Sequence, residues 1–260
     1  MFTRRIPVLL LALLAALLLT SGCSSAEKIT DAKQLDGKLF AVPSGTIADQ
    51  LVLTKYPNAK FTYVNSAQDA CQAVKTGAAD AAAYDEPILK NLAAKNPGLK
   101  VLPEMITVDN YGFAVARENQ ALKTAVDEIV TELKANGNYE QMLRRWLPAS
   151  GNPAPMPDIK LDGGNGVLRF GTAAITEPFS FVDGRQQVVG FDIELATYVA
   201  RKLGMELEVV NMDFGAMIPA LAAGQVDMIG ACITISEERA KTVLFSQPYY
   251  QGGIAALVKE

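Results

Sequence analysis

The chain has 260 residues and a formal net charge of −4, half of its residues are apolar, and it contains no histidine. The mildly acidic balance and the lack of a basic run argue against nucleic acid as a partner. Without histidine the usual general base, the Ser/His and Cys/His nucleophile systems and most zinc sites are excluded, so we expect no enzyme, no cofactor and no metal site.

Residues 1–22 are typical of an export signal. An unbroken apolar stretch of 12 residues, 8–19, follows two arginines; it is too short to span a bilayer, which takes roughly 20. Thr20-Ser21-Gly22-Cys23 resembles a lipobox, in which the signal is cut before Cys23 and the thiol is acylated. We expect a lipid anchor at Cys23 on the outer, periplasmic or cell-surface, side of the cytoplasmic membrane. A plain secretory signal and an uncleaved anchor are the alternatives.

Strands and helices alternate in residues 26–110. Strands are predicted at 38–42, 61–64 and 81–83, and helices follow Ser44-Gly45-Thr46, Ser66 and Asp85. Cys71 lies in a helical pattern and Cys232 beside a later strand, without metal-site spacing, so both are expected to be buried small residues.

A linker rich in proline and glycine, 148–166, precedes a second alternating stretch. Strands are predicted at 167–171, 206–210 and 226–229, with helices from Asp192 to about 203 and over 214–223. This alternation predicts α/β lobes with parallel sheets and ligand loops at the strand ends. A short repeat supports two similar lobes, because Gly77 and Asp80 follow one helix as Gly224 and Asp227 follow another.

The segment Gly190-Phe191-Asp192-Ile193-Glu194-Leu195 carries the most specific signal. It resembles the signature of the polar amino-acid binding proteins of bacterial ABC importers, solute-binding family 3. On residue pattern alone, Asp192 caps a helix and the apolar positions form its buried face. The resemblance implies a two-lobed periplasmic-binding-protein (Venus-flytrap) fold that closes around a free amino acid and delivers it to a permease, as a monomer.

Several positions match ligand-binding positions of that family. The segment 230–239 resembles the loop that holds the α-carboxylate, where Arg239 can donate two parallel hydrogen bonds and Thr234 adds an N–H and a hydroxyl. Asp85 matches the aspartate that pairs with the α-ammonium. Alternatively, Arg239 pairs with Glu237 or Glu238, and Asp85 merely caps a helix. The remaining residues predicted to contact the ligand are Cys232, Gly45, Thr46, Phe214, Ala173 and Thr176.

The side-chain pocket departs from that of relatives, because Ala173 and Thr176 stand where an acid or an aromatic is common. With no acid evident to neutralise a basic ligand and no spare arginine for an acidic one, the sequence predicts a neutral amino acid. A lipoprotein sensor is an alternative function, and so is a dehydratase on the same scaffold. For the dehydratase, Glu86 and Glu177 are the candidate acids.

The order of the segments is shuffled relative to the family, which usually begins with a segment like 167–260 and continues into one like 29–147. The sequence therefore predicts a circular permutant with one lobe in residues 26–110 and the other in 111–260. One covalent crossing near 104–111 is expected, with 254–258 pairing beside it as a free terminal strand, and hence a looser hinge. The alternative is that the two halves come from different duplicated modules.

Overall fold

Two five-stranded sheets organise the computed structural model, which describes residues 28–148 and 153–260. Each sheet forms the centre of one α/β lobe. Three neighbouring strands in each sheet are parallel, as predicted, but the fourth runs antiparallel to its neighbours. The export signal and Cys23 lie outside the described residues.

The N-terminal lobe has the strand order β2-β1-β3-β15-β4. Its elements are β1 (Leu39–Pro43), α1 (Ala48–Lys55), β2 (Lys60–Val64), α2 (Ala67–Thr76), β3 (Ala81–Asp85), α3 (Glu86–Lys95), β4 (Leu99–Val101) and β15 (Ile254–Lys259).

The C-terminal lobe has the strand order β11-β7-β12-β6-β13, with a three-stranded sheet β10-β9-β8 beside it. Its elements are β6 (Ala114–Val115), α4 (Gln120–Ala135), α5 (Asn138–Trp146), β7 (Val167–Thr172), β8 (Ile175–Thr176), β9 (Ser180–Val182), β10 (Val188–Val189), α6 (Phe191–Leu203), β11 (Glu206–Asn211), α7 (Met217–Ala222), β12 (Met228–Ile229), α8 (Glu237–Ala240) and β13 (Leu244–Phe245).

Two crossing strands connect the lobes, β5 (Asp109–Tyr111) and β14 (Tyr250–Gly252), and they pair with each other antiparallel. The prediction of a single crossing, with residues 111–260 in one lobe, is therefore wrong. Residues 254–258 of β15 are all buried, because the strand lies between β3 and β4 inside the N-terminal sheet. A second crossing also removes the basis for a looser hinge.

The predicted repeat marks equivalent corners of the two sheets. Asp80 exchanges backbone and side-chain hydrogen bonds with Leu39 at the start of β1, with its Oδ2 accepting the Leu39 N–H at 2.9 Å. Asp227 does the same with Arg169 in β7, also at 2.9 Å. Gly77 and Gly224 both have positive φ, +83° and +68°, which lets the chain reverse after each helix.

Glu194 of the family signature fixes the end of α5 against α6. Its buried carboxylate accepts hydrogen bonds from the Trp146 indole at 2.6 Å and from Arg145 Nη1 at 2.8 Å. The helices before the linker thus belong to the C-terminal lobe, as expected. Both Cys71 and Cys232 are free and buried, which confirms that prediction. Between residues 28 and 148 and between 153 and 260, no helix is long and apolar enough to cross a membrane.

Candidate ligand-binding site

A small pocket lies where the two lobes meet, and most of the predicted ligand residues line it. The N-terminal lobe contributes the loop after β1 and the end of β3, and the C-terminal lobe contributes the segment after β12 and the start of the 214–216 turn. The lining residues include Thr46, Tyr84, Asp85, Phe214, Cys232, Thr234 and Arg239. The fold thus brings the predicted anionic and cationic groups, Asp85 and Arg239, to one pocket from opposite lobes.

Asp85 is the last residue of β3 and is only 5% exposed. Its side chain makes no capping hydrogen bond to α3, so the alternative role of helix cap is wrong. Instead Oδ1 accepts a hydrogen bond from the Tyr111 hydroxyl. Burial raises the pKa of Asp85 to about 7, against the opposing effects of the Tyr111 hydrogen bond and the Arg239 charge.

Arg239 is half-buried in α8, where its guanidinium carbon lies 5.6 Å from the centre of the Phe214 ring. Nη1 donates a hydrogen bond to the Thr234 carbonyl at 3.1 Å. Burial lowers the pKa of Arg239, and the Asp85 charge partly offsets this. Among the residues described here, no ion pair joins Arg239 to Glu237 or Glu238, so the guanidinium keeps donors for a ligand.

The segment Cys232–Thr234 forms the wall between Arg239 and the crossing strands. Thr234 bridges to Tyr111, and the Ile233 carbonyl accepts the Gly112 N–H at 3.1 Å. Cys232 has a φ of +52°, a left-handed conformation that non-glycine residues seldom adopt. Burial raises the pKa of its thiol well above the usual range, so the thiol stays protonated.

The loop after β1 closes the pocket from the N-terminal lobe. The Thr46 hydroxyl donates to the Pro43 carbonyl at 2.8 Å, which fixes the loop. Gly45 has a φ of +77°, and a Cβ at this position would lie 3.0 Å from the Cα of Gly215 in the opposite lobe. Backbone therefore meets backbone across the cleft, which makes this a closed arrangement.

Side-chain contacts also hold the lobes together. Lys95 of α3 forms an ion pair with Glu177 at 2.6 Å, and the Gln68 amide donates to the Ile175 carbonyl at 3.3 Å. Glu86, the other acid considered for a dehydratase, pairs with Lys90. Both candidate acids are thus engaged in ion pairs and are absent from the residues that line the pocket with Asp85.

A second cavity of about 730 Å³ adjoins the pocket and shares Thr46, Tyr84 and Phe214 with it. Thr176 lines this cavity, with its hydroxyl 3.1 Å from the Ala173 carbonyl. Ala173 itself is fully buried in an apolar cluster, so its predicted ligand contact is wrong, because its methyl packs into the core of the C-terminal lobe.

Asp213, which the sequence does not predict as a ligand residue, is the one charged residue in the lining of the second cavity. The prediction of a neutral ligand depends on there being no acid at the side-chain pocket, and that premise is therefore wrong. Its position directly before Phe214 was a usable signal, but the direction of its side chain depends on the turn at 214–216.

Two α/β lobes joined by paired crossing strands, with opposite charges facing one pocket between them, are typical of proteins that bind a small ligand by closure. The chain matches the family of bacterial extracellular solute-binding proteins, family 3, over residues 168–260. Residues 16–152 match the periplasmic substrate-binding protein of phosphonate ABC transporters. The chain belongs to the extracytoplasmic solute-binding proteins of ABC transporters.

Curated relatives match shorter stretches. The chain is 44% identical over 89 residues to the arginine-binding extracellular protein ArtP of Bacillus subtilis, covering 34% of each chain. It is 36% identical over 95 residues to the L-cystine-binding protein TcyJ of Escherichia coli, covering 36% of each. The chain thus spans about a third of the length of these relatives. The chain is 22% identical over 240 residues to the virulence sensor protein BvgS of Bordetella pertussis, covering 88% of this chain and 19% of that protein.

Among solved structures, the arginine-bound form of domain 1 from TmArgBP is 43% identical, covering 36% of this chain and 81% of that one, with a TM-score of 0.33. An ancestral arginine-binding protein bound to arginine is 50% identical over 33% of this chain and 38% of that chain, with a TM-score of 0.32.

Proposed function

We propose that this protein binds a free amino acid outside the cytoplasmic membrane and delivers it to an ABC-type importer. The observation that carries the proposal is the meeting of Asp85 and Arg239 in one pocket. A carboxylate and a guanidinium on opposite walls are complementary to the α-ammonium and α-carboxylate of a zwitterion.

In this proposal each lobe holds one pole of the ligand. Arg239 grips the carboxylate with two parallel charge-assisted hydrogen bonds, supported by Thr234, Cys232 and Thr46. Asp85 accepts from the ammonium. Because only the closed arrangement satisfies both poles, the ligand shifts the lobes toward closure, and the Gly45–Gly215 contact becomes available.

We further propose that the ligand side chain is cationic. Asp213 gives the second cavity its one charged lining group, and Phe214 offers a ring face that attracts cations. Relatives with names that specify arginine or histidine are consistent with this choice. The ligand side chain would then run from the pocket past Phe214 toward Asp213.

Titration calorimetry on the purified protein tests both statements. We expect the cationic amino acids to bind most tightly in a panel of arginine, lysine, histidine, glutamine, leucine and glutamate. Tight binding of a neutral member and none of the cationic ones would overturn the cationic assignment alone. No binding of any amino acid would overturn the proposed function.

Delivery and anchoring are tested in cells. We propose that acylated Cys23 tethers a monomer to the outer face of the membrane, where it meets a permease. Labelling with radioactive palmitate is expected to mark the wild-type protein but not the Cys23→Ser variant.

Uptake of the ligand should fall when the gene is deleted. Unchanged uptake together with an altered transcriptional response would favour the alternative of a sensor, which the similarity to BvgS motivates.

We also propose that the lobe order is a circular permutation. The strand β15 enters the N-terminal sheet just as β6 enters the C-terminal sheet, each as an antiparallel strand that follows a crossing. A rearranged gene that encodes 166–260 followed by 26–147 should produce a protein with the same ligand preference. Failure of that protein to bind would favour halves from two different modules.

A further inference from the structure

Asp192 of the signature segment has a role different from the predicted helix cap. The helix α6 begins at Phe191, its N-cap residue is Gly190, and no side chain caps it. Asp192 lies inside the first turn and is fully buried. Its Oδ2 accepts a hydrogen bond from the backbone N–H of Cys232 at 3.2 Å, across 40 positions of the chain.

The N–H that Asp192 accepts belongs to the residue with the unusual backbone conformation in the pocket wall. Cys232 holds a φ of +52°, and such a conformation persists only where its surroundings fix it. Thr234 lies two residues further on, and its carbonyl accepts a hydrogen bond from Arg239 Nη1 at 3.1 Å. The direction of the Cys232 peptide therefore affects where the carboxylate-binding groups point. The hydrogen bond that the Cys232 N–H donates to Asp192 supports the strained residue from behind the pocket.

The burial of the Asp192 carboxylate lowers the stability of the folded protein. The carboxylate is fully buried, and burial raises its pKa to about 7 against the hydrogen bonds that it accepts from the Tyr249 hydroxyl and the Cys232 N–H. Removing a carboxylate from water reduces the stability of the fold even where two neutral donors face it. An apolar residue here would avoid that cost, which points to a role for Asp192 other than stability.

We propose that Asp192 is a positioning residue that fixes the Cys232–Thr234 segment in its ligand-binding conformation. The proposal rests on the proposed function, in which this segment and Arg239 hold the α-carboxylate. Asp192 touches no ligand, and it acts through the backbone of Cys232.

The test compares Asp192→Leu with Asp192→Asn, which keeps an oxygen acceptor. Thr197→Val is the matched control, because Thr197 is also a buried polar residue of α6 but donates only to the Ile193 carbonyl of its own helix. Thermal unfolding of each variant establishes that it folds. Hydrogen exchange is then measured on the peptide that covers residues 230–236 of the unliganded proteins. Faster exchange there is expected in Asp192→Leu, and near wild-type exchange in Asp192→Asn and Thr197→Val.

The ligand probes are arginine and agmatine, the matching amine without the carboxylate. Asp192→Leu should weaken arginine about tenfold or more while leaving agmatine nearly unchanged, since only the carboxylate contacts are misplaced. Equal weakening of both probes, or unchanged exchange in residues 230–236, would overturn the positioning role. If the wild-type protein binds neither probe, the proposed ligand fails, and the exchange experiment still decides the role of Asp192.

Discussion

The Tyr111 hydroxyl donates a hydrogen bond to Oδ1 of Asp85, and the Tyr111 hydroxyl oxygen in turn accepts a hydrogen bond from the backbone N–H of Gly253 at 3.1 Å. Tyr111 ends the crossing strand β5, and Gly253 joins the crossing strand β14 to β15. One phenol oxygen therefore connects both interlobe crossings to the carboxylate proposed to bind the ligand ammonium. We therefore expect the ionisation of Asp85 to depend on the position of the two crossing strands.

Replacement of Tyr111 by phenylalanine is expected to weaken ligand binding roughly tenfold, because Asp85 loses the hydrogen bond that favours its ionised form. Tyr250→Phe is the matched control, since Tyr250 stacks on Tyr111 at 5.8 Å and its ring is retained. Calorimetry measures both affinities. Equal effects of the two substitutions would contradict a specific role for the Tyr111 hydroxyl.

The Asp85→Asn variant should lose ligand binding and yet be more stable than the wild type at pH 8 without ligand, by about 1–3 kcal/mol. The folded-state pKa of about 7 lies above the ordinary 3.8, so Asp85 favours folding at low pH and this contribution is lost as the pH rises through 7. Urea unfolding at pH 5 and pH 8 measures the difference, which should be larger at pH 8. A variant that is less stable at pH 8 would show that the buried carboxylate is well compensated.

Ligand binding should release a proton below pH 7. The ligand ammonium favours ionised Asp85, so affinity should fall as the pH drops below 7, by up to about tenfold per pH unit. Calorimetry in buffers of different ionisation enthalpy counts the proton. Burial also raises the pKa of Asp192 to about 7, so the Asp192→Asn variant serves as the control and should still release the proton.

The contact between Gly45 and Gly215 should limit closure. Gly45→Ala places a Cβ 3.0 Å from the Gly215 Cα and also strains a φ of +77°, whereas a Cβ at Gly215 meets the Gly45 Cα at an ordinary 3.6 Å. We expect Gly45→Ala to weaken binding at least about tenfold and Gly215→Ala to have a small effect. Small-angle scattering with saturating ligand should show Gly45→Ala remaining more open. Identical curves for both variants would argue that this contact is not limiting.

Arg239→Lys keeps the positive charge but removes the planar pair of donors, so affinity should fall roughly tenfold or more. Arg117→Lys is the control, because Arg117 is an arginine of the same lobe that donates to the Lys241 carbonyl outside the pocket. Thermal unfolding confirms that both variants fold. If the Arg239→Lys variant binds the ligand as tightly as the wild type, the ligand carboxylate is not held by a pair of hydrogen bonds.

The sequence predicts which residues could bind the ligand better than it predicts how those residues are arranged in space. Asp85 and Arg239 are predicted as ligand residues because the segments around them resemble ligand-binding segments of a known family, and the structure places both in the lining of one pocket. Asp192 was assigned to the nearest helix end, since a local pattern cannot reveal a partner 40 positions away. The burial of Ala173 and the orientation of Asp213 likewise depend on packing between distant segments.

The same limit applied to β15. Its sequence, Ile-Ala-Ala-Leu-Val-Lys, predicts a buried strand but contains nothing that selects the partner sheet. Pairing with β3 and β4 follows from the second crossing at β14, which delivers the strand back to the N-terminal lobe. Alternation and glycine placement were sufficient for the parallel strands, where helix and strand are adjacent in the chain.

The central position of β15 in the first lobe has a consequence for biogenesis. The position between β3 and β4 stays empty until residues 254–259 have been synthesised, after the rest of the other lobe. The lobe made first thus cannot finish folding before the lobe made last. Until then its open strand edges would need shielding from neighbouring chains.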